Sequence, residues 1–250
     1  MKTSAQNLGK RLIHTAPKLK LQDEFIKNGI NGLYSSQGFK LAWIDYQNYL
    51  TKNLTLLTNG TIDETRYPFS IAIANAKDSS KQNIFNIASQ THNNHFFFQQ
   101  LISSQENNTS PSRELNSRII SKFGSLDSLV DQFVLESKEI IGQGWIFLIE
   151  NESKNLEILT LNNSGTPYNF SGNHSLDLNG PIGLTELEAW ESIKESTLTK
   201  AQDWTLPLLG ISLWDHSFIT DYGVDGRDEY IKDVFKNINW DVVNKRLYVQ

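Results

Sequence analysis

The chain has 250 residues, of which 38% are hydrophobic and 20% are charged, and it contains no cysteine. This length allows a sizeable hydrophobic core, and the absence of cysteine excludes disulfides and thiolate metal sites. No apolar run in the sequence approaches the roughly 18–20 residues of a transmembrane helix. A metal site would therefore have to use the five histidines and the carboxylates.

Basic residues are concentrated at the N-terminus. Residues 1–20 contain five Lys and Arg and no Asp or Glu, with Ser, Thr and apolar residues between them. This composition predicts a mitochondrial transit peptide over residues 1–20, with a frayed basic terminus as the alternative. Of the 23 basic residues, 18 then remain beside 28 acidic ones, a formal charge of -10. Such a chain lacks the cationic excess of a non-specific nucleic-acid binder.

Helical periodicity dominates residues 21–112. Apolar residues recurring at intervals of three and four predict helices, and turn-forming residues around Pro68 predict a loop. The predicted elements are a helix over 23–57, a loop over 59–82 and a helix over 82–102. They would form an N-terminal helical hairpin domain over 21–112, with the polar segment 103–112 as a hinge.

Residues 113–250 are predicted to form a C-terminal α+β domain. Short aromatic and β-branched runs predict strands between helical segments. The predicted elements are helices over 115–141 broken at Gly124, strands over 144–150, 155–161 and 206–213, and helices over 227–236 and 240–247. Helices followed by a small antiparallel sheet flanked by helices is an α+β arrangement.

Several segments resemble a known enzyme family. Pro207 to His216 read P-L-L-G-I-S-L-W-D-H, which resembles P-L-L-x-x-D-x-W-E-H of the iron/manganese superoxide dismutases. Phe85 to Phe98 read F-N-I-A-S-Q-T-H-N-N-H-F-F-F and resemble F-N-N-A-A-Q-x-W-N-H-x-F-Y-W. Shorter matches follow in the family's order: F-G-S at 123–125, G-Q-G-W at 142–145, S-G-T-P at 164–167 and N-W at 239–240. The resemblance implies the dismutase fold.

The metal ligands of that family do not survive at the matching positions. The resemblance places them at Leu41, Asn94, Ser212 and His216, so that only His216 keeps a ligand side chain. A neutral hydroxyl cannot replace the anionic oxygen ligand of a redox metal. We therefore expect no catalytic residues, no metal and no cofactor. The alternative is a metal-binding superoxide dismutase with a site rebuilt from His95, Asp215 and His216.

Other polar residues near these positions have structural interpretations. His216 is expected to be partly buried and hydrogen-bonded at a subunit contact. His92 and His95 are expected to be packing or surface residues beside Phe96 to Phe98. Tyr49 and Gln90 match residues that surround the metal in the family, and we expect them to be polar groups of the core.

A long segment departs from the family pattern. Between Pro167 and Leu206 the chain has roughly 40 residues where the family usually has a short connection, so we predict an insertion at about 168–205. Within it, residues 185–202 have apolar residues at helical spacing, including Trp190, and charged residues around the rest. This pattern predicts an amphipathic helix that docks on its own domain or on another protein.

A cysteine-free dismutase scaffold without its ligands, preceded by a predicted mitochondrial leader, resembles the dismutase-like proteins of the fungal mitochondrial small ribosomal subunit. That resemblance implies a structural, non-enzymatic protein of the mitochondrial ribosome in the matrix. Its implied partners are other mitochondrial ribosomal proteins, including a dismutase-like paralogue in a heterodimer, with limited rRNA contact and no membrane. The predicted partner interface comprises Asp215, His216, Tyr222 and Trp190.

Overall fold

Helices form the first half of the chain, and a three-stranded sheet lies in the second half. The computed structural model describes residues 13–151, 153–168 and 205–247. The helices are α1 (Gln22–Asn28), α2 (Ser36–Phe39), a π-helix (Lys40–Asp45), α3 (Tyr46–Thr58), α4 (Pro68–Asn75), a 3-10 turn (Ser79–Lys81), α5 (Gln82–Gln99), α6 (Arg113–Phe123), α7 (Leu126–Ser137), α8 (Asp215–Tyr222), α9 (Arg227–Lys236) and α10 (Trp240–Arg246). Among these described helices, none is both long and apolar enough to cross a membrane.

The helix predicted over 23–57 is interrupted between α1 and α2. Gly29 ends α1 with a φ of 75°, a backbone conformation that favours glycine. A Cβ at Gly29 would lie 2.2 Å from the Tyr34 carbonyl oxygen, so the turn requires glycine. The chain re-enters helix at Ser36, where the Ser35 hydroxyl accepts a hydrogen bond from the Gly38 amide at 3.0 Å. The prediction of one continuous helix was therefore wrong.

The loop predicted over 59–82 contains helix α4. Pro68 occupies its first turn, where a missing N–H costs no hydrogen bond and the fixed φ favours helix. Ile71 and Ala72 of α4 pack with Leu54 of α3 and Ala88 of α5 in a buried cluster. The loop prediction was wrong because Pro68 begins a helix here.

Three antiparallel strands form the sheet, in the order β2–β1–β3: β1 (Gly144–Asn151), β2 (Leu156–Asn162) and β3 (Thr205–Ser212). Gly144 pairs with Asn162 on one side of β1, and Trp145 pairs with Ser212 on the other. All eight residues of β3 are buried. This arrangement confirms the predicted α+β fold, in which the N-terminal helices precede a three-stranded antiparallel sheet flanked by helices.

The predicted hinge over 103–112 is bonded to the C-terminal helices. The Asn107 side-chain amide donates to the carbonyl oxygens of Lys236 and Ile238, at 3.0 and 2.8 Å. The Ser112 amide donates to the Asn244 side chain at 2.8 Å. These bonds fix the connector, and the division into domains at 112 and 113 stays a prediction.

The two ends of the predicted insertion meet on the folded chain. The Thr205 hydroxyl donates a hydrogen bond to the Pro167 carbonyl oxygen at 2.5 Å. The Tyr168 hydroxyl lies 2.7 Å from the His92 ring, and the Asn93 side chain donates to the Gly165 carbonyl oxygen at 2.8 Å. The predicted helix at 185–202, with Trp190, lies outside the described residues.

Residues 13–20 belong to the folded chain. The His14 ring is 3.1 Å from the Thr58 hydroxyl of α3, and the His14 amide donates to the Thr55 hydroxyl at 3.1 Å. Leu19 is a member of the main hydrophobic core. The predicted leader boundary at residue 20 therefore does not match the fold. Residues 1–12 lie outside the described residues, and a transit peptide there stays a prediction.

We expect Leu19→Ala to lower the free energy of unfolding by about 2–4 kcal/mol, because it removes a buried side chain and leaves a cavity. Lys18→Ala is the matched control. It removes a solvent-exposed ion pair with Asp23, which contributes about 1 kcal/mol or less. Urea unfolding followed by circular dichroism measures both. Equal stability of the two variants would show that this segment is not part of the core.

Candidate functional site

Asn94 lies fully buried in the middle of α5. Its side-chain amide donates to the Gln47 side-chain oxygen at 2.9 Å and approaches the Ala42 carbonyl oxygen at 3.4 Å. Gln47 in turn donates to the Thr91 carbonyl oxygen at 3.0 Å. Within the described residues, the Asn94 Oδ1 atom has no hydrogen-bond partner. The helical hairpin thus holds Asn94 through hydrogen bonds between uncharged amide groups.

Ser212 is the last residue of β3 and is also fully buried. Its hydroxyl oxygen lies 2.7 Å from that of Ser217 in α8, and it accepts a longer hydrogen bond from the Trp214 amide at 3.4 Å. The hydroxyl therefore joins the end of β3 to α8. Because each interaction is neutral, Ser212 supplies no charge to its surroundings.

His216 lies in the first turn of α8 and packs against Tyr46 of α3, with ring centroids 3.8 Å apart. Burial lowers the pKa of His216 to about 4, although the adjacent Asp215 carboxylate acts in the opposite direction. Within the described part of the chain, its Nε2 atom is buried without a hydrogen-bond partner. No group among the described residues therefore supplies a hydrogen bond to this atom.

Tyr46 occupies the place that the sequence suggested for Tyr49. Burial raises the pKa of Tyr46 to about 12, and the Gln90 side chain acts in the opposite direction. Gln90 is buried and accepts a hydrogen bond from the Trp145 indole at 2.9 Å. Tyr49 is 56% exposed, so its prediction as a core residue was wrong, whereas that for Gln90 is confirmed.

The π-helix helps to explain why Ala42, and not the predicted Leu41, is the buried residue next to Asn94. A π-helical turn holds one more residue than an α-helical turn, and one residue corresponds to a rotation of about 100° along an α-helix. Leu41 is 41% exposed, whereas the next residue, Ala42, is fully buried and faces Asn94 with its carbonyl oxygen. The structure thus brings Asn94 next to Ala42, and the position predicted at Leu41 lies at the surface.

Two of the predicted partner residues, Asp215 and Tyr222, form hydrogen bonds within their own chain. Asp215 is exposed and accepts a hydrogen bond from the Gln143 side chain at 3.2 Å. The Tyr222 hydroxyl donates to the Asp233 carboxylate at 3.1 Å. Trp190 lies outside the described residues, so the structure brings together Asp215, His216 and Tyr222 on α8 without it.

The remaining histidines of the described chain serve in packing. His92 is buried between Phe69 and Phe96, and its ring meets the Tyr168 hydroxyl. His95 is buried and stacks on Trp43 with ring centroids 5.8 Å apart. Both residues agree with the structural interpretation of the sequence.

Comparison with known proteins identifies the scaffold. The family model for the C-terminal domain of iron/manganese superoxide dismutases matches residues 111–192 and 183–246. The chain belongs to the iron/manganese superoxide dismutase family. It is 25% identical to small ribosomal subunit protein mS43 of Schizosaccharomyces pombe, over 94% of this chain and 84% of that protein. It is 30% identical to small ribosomal subunit protein mS42 of the same organism, over 72% and 74% of the two chains.

An enzyme of this family is also similar. The iron superoxide dismutase of Bacteroides fragilis is 25% identical over 94% of this chain and all of that enzyme. Proteins similar to this chain thus include both dismutases and proteins named for the ribosome.

The residues present do not fit the iron or manganese of the dismutases. Asn94 and Ser212 offer neutral oxygens, and His216 is the only imidazole at the matching positions. Across the described ranges, no three His, Cys, Asp or Glu side chains are grouped as a metal site. The alternative site at His95, Asp215 and His216 is not favoured either, because His95 stacks on Trp43 and Asp215 is exposed. Iron and manganese of this type are bound by several imidazole and carboxylate ligands together.

We expect purified protein to contain no iron or manganese in proportion to the chain, and Ser212→Asp to leave this unchanged. The new carboxyl group would be buried beside neutral hydroxyls, so the variant should lose about 1–3 kcal/mol of stability. Ser212→Ala, which removes the hydroxyl without adding a carboxylate, is the control. Elemental analysis and a dismutase assay measure the outcome, and one tightly bound iron or manganese per chain would refute this expectation.

Burial of neutral His216 should make stability depend on pH. The unfolded chain protonates this histidine near pH 6.5, whereas the folded chain does so only near pH 4. The stabilisation is therefore complete above pH 6.5 and is lost as the pH falls toward 4, by up to about 3 kcal/mol. His216→Phe keeps a ring against Tyr46 without titrating, so it should flatten the profile in urea unfolding. His14, whose pKa is also lowered by burial, is present in both proteins. If the wild-type chain and His216→Phe show the same dependence of stability on pH, the lowered pKa of His216 is contradicted.

Proposed function

We propose that this chain is a structural constituent of the mitochondrial small ribosomal subunit, acting in mitochondrial translation without enzymatic activity. The observation that carries the proposal is the neutral hydrogen bonding of Asn94 and Ser212 at former ligand positions. Relatives that match most of this chain are named as small ribosomal subunit proteins. A dismutase scaffold that lacks the catalytic ligands is suited to a structural role in an assembly. The names of the relatives indicate that this assembly is the small ribosomal subunit.

The proposed location follows from the same relationship. Proteins of this kind would work in the mitochondrial matrix, and the basic residues before position 13 would direct import. The proposed partners are other mitochondrial ribosomal proteins, with no membrane involved. Contacts with rRNA would be few and local, because each neutralised phosphate requires a Lys or Arg and the chain has an acidic excess.

A heterodimer with a dismutase-like paralogue forms part of this proposal. Two relatives of different sequence, mS42 and mS43, come from one organism and are both similar to this chain. The surface of α8 around Asp215, His216 and Tyr222 would face the paralogue. An incoming donor at this surface would also meet the buried Nε2 atom of His216, which lacks a partner in the described chain.

The insertion would supply a second docking element. Its ends are held at Pro167 and Thr205, so its removal need not disturb the sheet. Aromatic residues such as the predicted anchor Trp190 contribute strongly to protein interfaces. The segment would therefore hold the chain in the subunit through protein contacts.

We expect the full chain to sediment with small ribosomal subunits from mitochondria, and a variant with a short Gly-Ser linker in place of residues 169–204 to be released. The linker variant should keep the unfolding midpoint of the full chain within a few degrees, because the core is unchanged. A linker inserted in the exposed turn at Gly60 is the control, and it should leave sedimentation unchanged.

Salt distinguishes the kind of contact. If protein contacts hold the chain, raising the salt concentration should release strongly basic subunit proteins before it releases this chain. Failure of the full chain to sediment with small subunits at low salt would refute the ribosomal function. Loss of folding on removal of 169–204 would show instead that this segment belongs to the core.

A further inference from the structure

The loop between α7 and β1, residues 138–143, places an isoleucine in solvent. Ile141 is 95% exposed, whereas the preceding Ile140 is 3% exposed and belongs to the core. An isolated surface isoleucine is common and needs no explanation by itself. Ile141 differs because the backbone on both sides of it is fixed by long-range bonds.

One side chain fixes both carbonyl groups that flank Ile141. Arg227, the first residue of α9, donates from Nη1 to the Ile140 carbonyl oxygen at 3.0 Å and from Nη2 to the Gly142 carbonyl oxygen at 2.8 Å. The planar guanidinium group holds both acceptors in one fixed geometry, whereas an ammonium group is a point charge on a flexible stem. Arg227 itself lies over the Phe218 ring, 5.7 Å from its centroid. The backbone around Ile141 is therefore held at a set position.

Three further contacts hold the ends of the loop. The Lys138 ammonium group lies 3.1 Å from the Asp228 carboxylate. The Gln143 carbonyl oxygen accepts a hydrogen bond from the Asn163 amide at 2.9 Å, and its side chain bonds Asp215 at 3.2 Å. A contact residue that is already ordered in the free protein loses less entropy on binding than a mobile one. The loop thus presents Ile141 in a form suited to an interface.

The surroundings indicate the chemistry of the partner. Ile219 of α8, the helix that bonds the loop through Asp215, and Val224 of the turn after α8 are also exposed apolar residues, at 37% and 77%. Residues 215–229 carry five carboxylates and one cation, Arg227, which is already bonded to the loop. This acidic margin repels phosphates and therefore disfavours rRNA. In a two-fold dimer of identical chains the same acidic margin would face itself, so a different chain with basic side chains is favoured.

We propose that Ile141 is an anchor residue that inserts into an apolar pocket, flanked by basic side chains, on the dismutase-like paralogue of the proposed heterodimer. This inference rests on the proposed function, because the paralogue is its partner. Ile141 and the α8 surface are then parts of one interface, joined by the bond between Gln143 and Asp215.

The test uses the full chain and the dismutase-like paralogue from the same organism, both purified, with the dissociation constant measured by fluorescence anisotropy. Ile141→Ser should weaken binding at least tenfold and leave the unfolding midpoint unchanged, because the side chain touches little of its own chain. Leu135→Ser is the matched control. Leu135 is a 63% exposed apolar residue on α7, and its replacement should change the dissociation constant less than twofold.

A second variant tests the fixed backbone. Arg227→Lys keeps the charge but replaces the rigid fork of the guanidinium group with a compact ammonium group on a flexible stem, so it should hold the loop less firmly and weaken binding by a smaller factor, about threefold or more. If the wild-type chains bind and Ile141→Ser binds equally well, the anchor is refuted while the ribosomal function stands. If Ile141→Ser instead weakens binding to a small-subunit rRNA fragment, the protein-partner assignment is refuted. If the wild-type chain neither binds the paralogue nor sediments with small subunits, the proposed function itself fails.

Discussion

Helix α5 must satisfy a continuous run of buried polar side chains, and the rest of the structure depends on how it does so. Every residue from Ala88 to Phe98 is buried, including seven consecutive polar ones from 89 to 95. Unpaired polar groups in a core cost free energy, so each must meet a partner on another element. Gln90 meets Trp145 of β1, and Asn94 meets Gln47 of α3. The same helix therefore joins the helical hairpin to the sheet.

That requirement bears on how a dismutase scaffold can persist without the carboxylate and imidazole ligands of the enzymes. A buried cluster of imidazoles and a carboxylate is stable when a cation offsets its charge, and it is costly otherwise. Here an amide, Asn94, and a hydroxyl, Ser212, occupy two of the matching positions. Asn94 bonds to the Gln47 side chain and the Ala42 backbone, and Ser212 bonds to the Ser217 hydroxyl. His216 remains, but burial keeps it neutral. The bonds to Asn94 and Ser212 thus come from the chain itself, while Asn94 Oδ1 and His216 Nε2 have no hydrogen-bond partner among the described residues.

The sequence predicted the elements that local patterns define and missed those that depend on distant contacts. The helix at 82–102 and the strands were readable because apolar residues recur at the period of each element. Helix α4 could not be predicted in this way, because proline is common both in loops and in the first turn of a helix, and Pro68 is consistent with either. Tyr46, not Tyr49, packs against His216, and no local pattern in the sequence signals the π-helix that precedes Tyr46. The Arg227 bonds to the α7–β1 loop join residues 85 to 87 positions apart, beyond any periodicity.

The hydrogen bond between Thr205 and Pro167 has a consequence for how this family can change in length. The two ends meet at one point on the core. The entropic cost of bringing such ends together grows only with the logarithm of the number of residues between them. Doubling such a loop costs about 0.6 kcal/mol, a small fraction of the stability of a typical domain. Lineages can therefore lengthen, shorten or replace this segment by insertion and deletion while the buried hydrogen bonds of α5 stay the same. New binding surfaces would arise most readily at this junction.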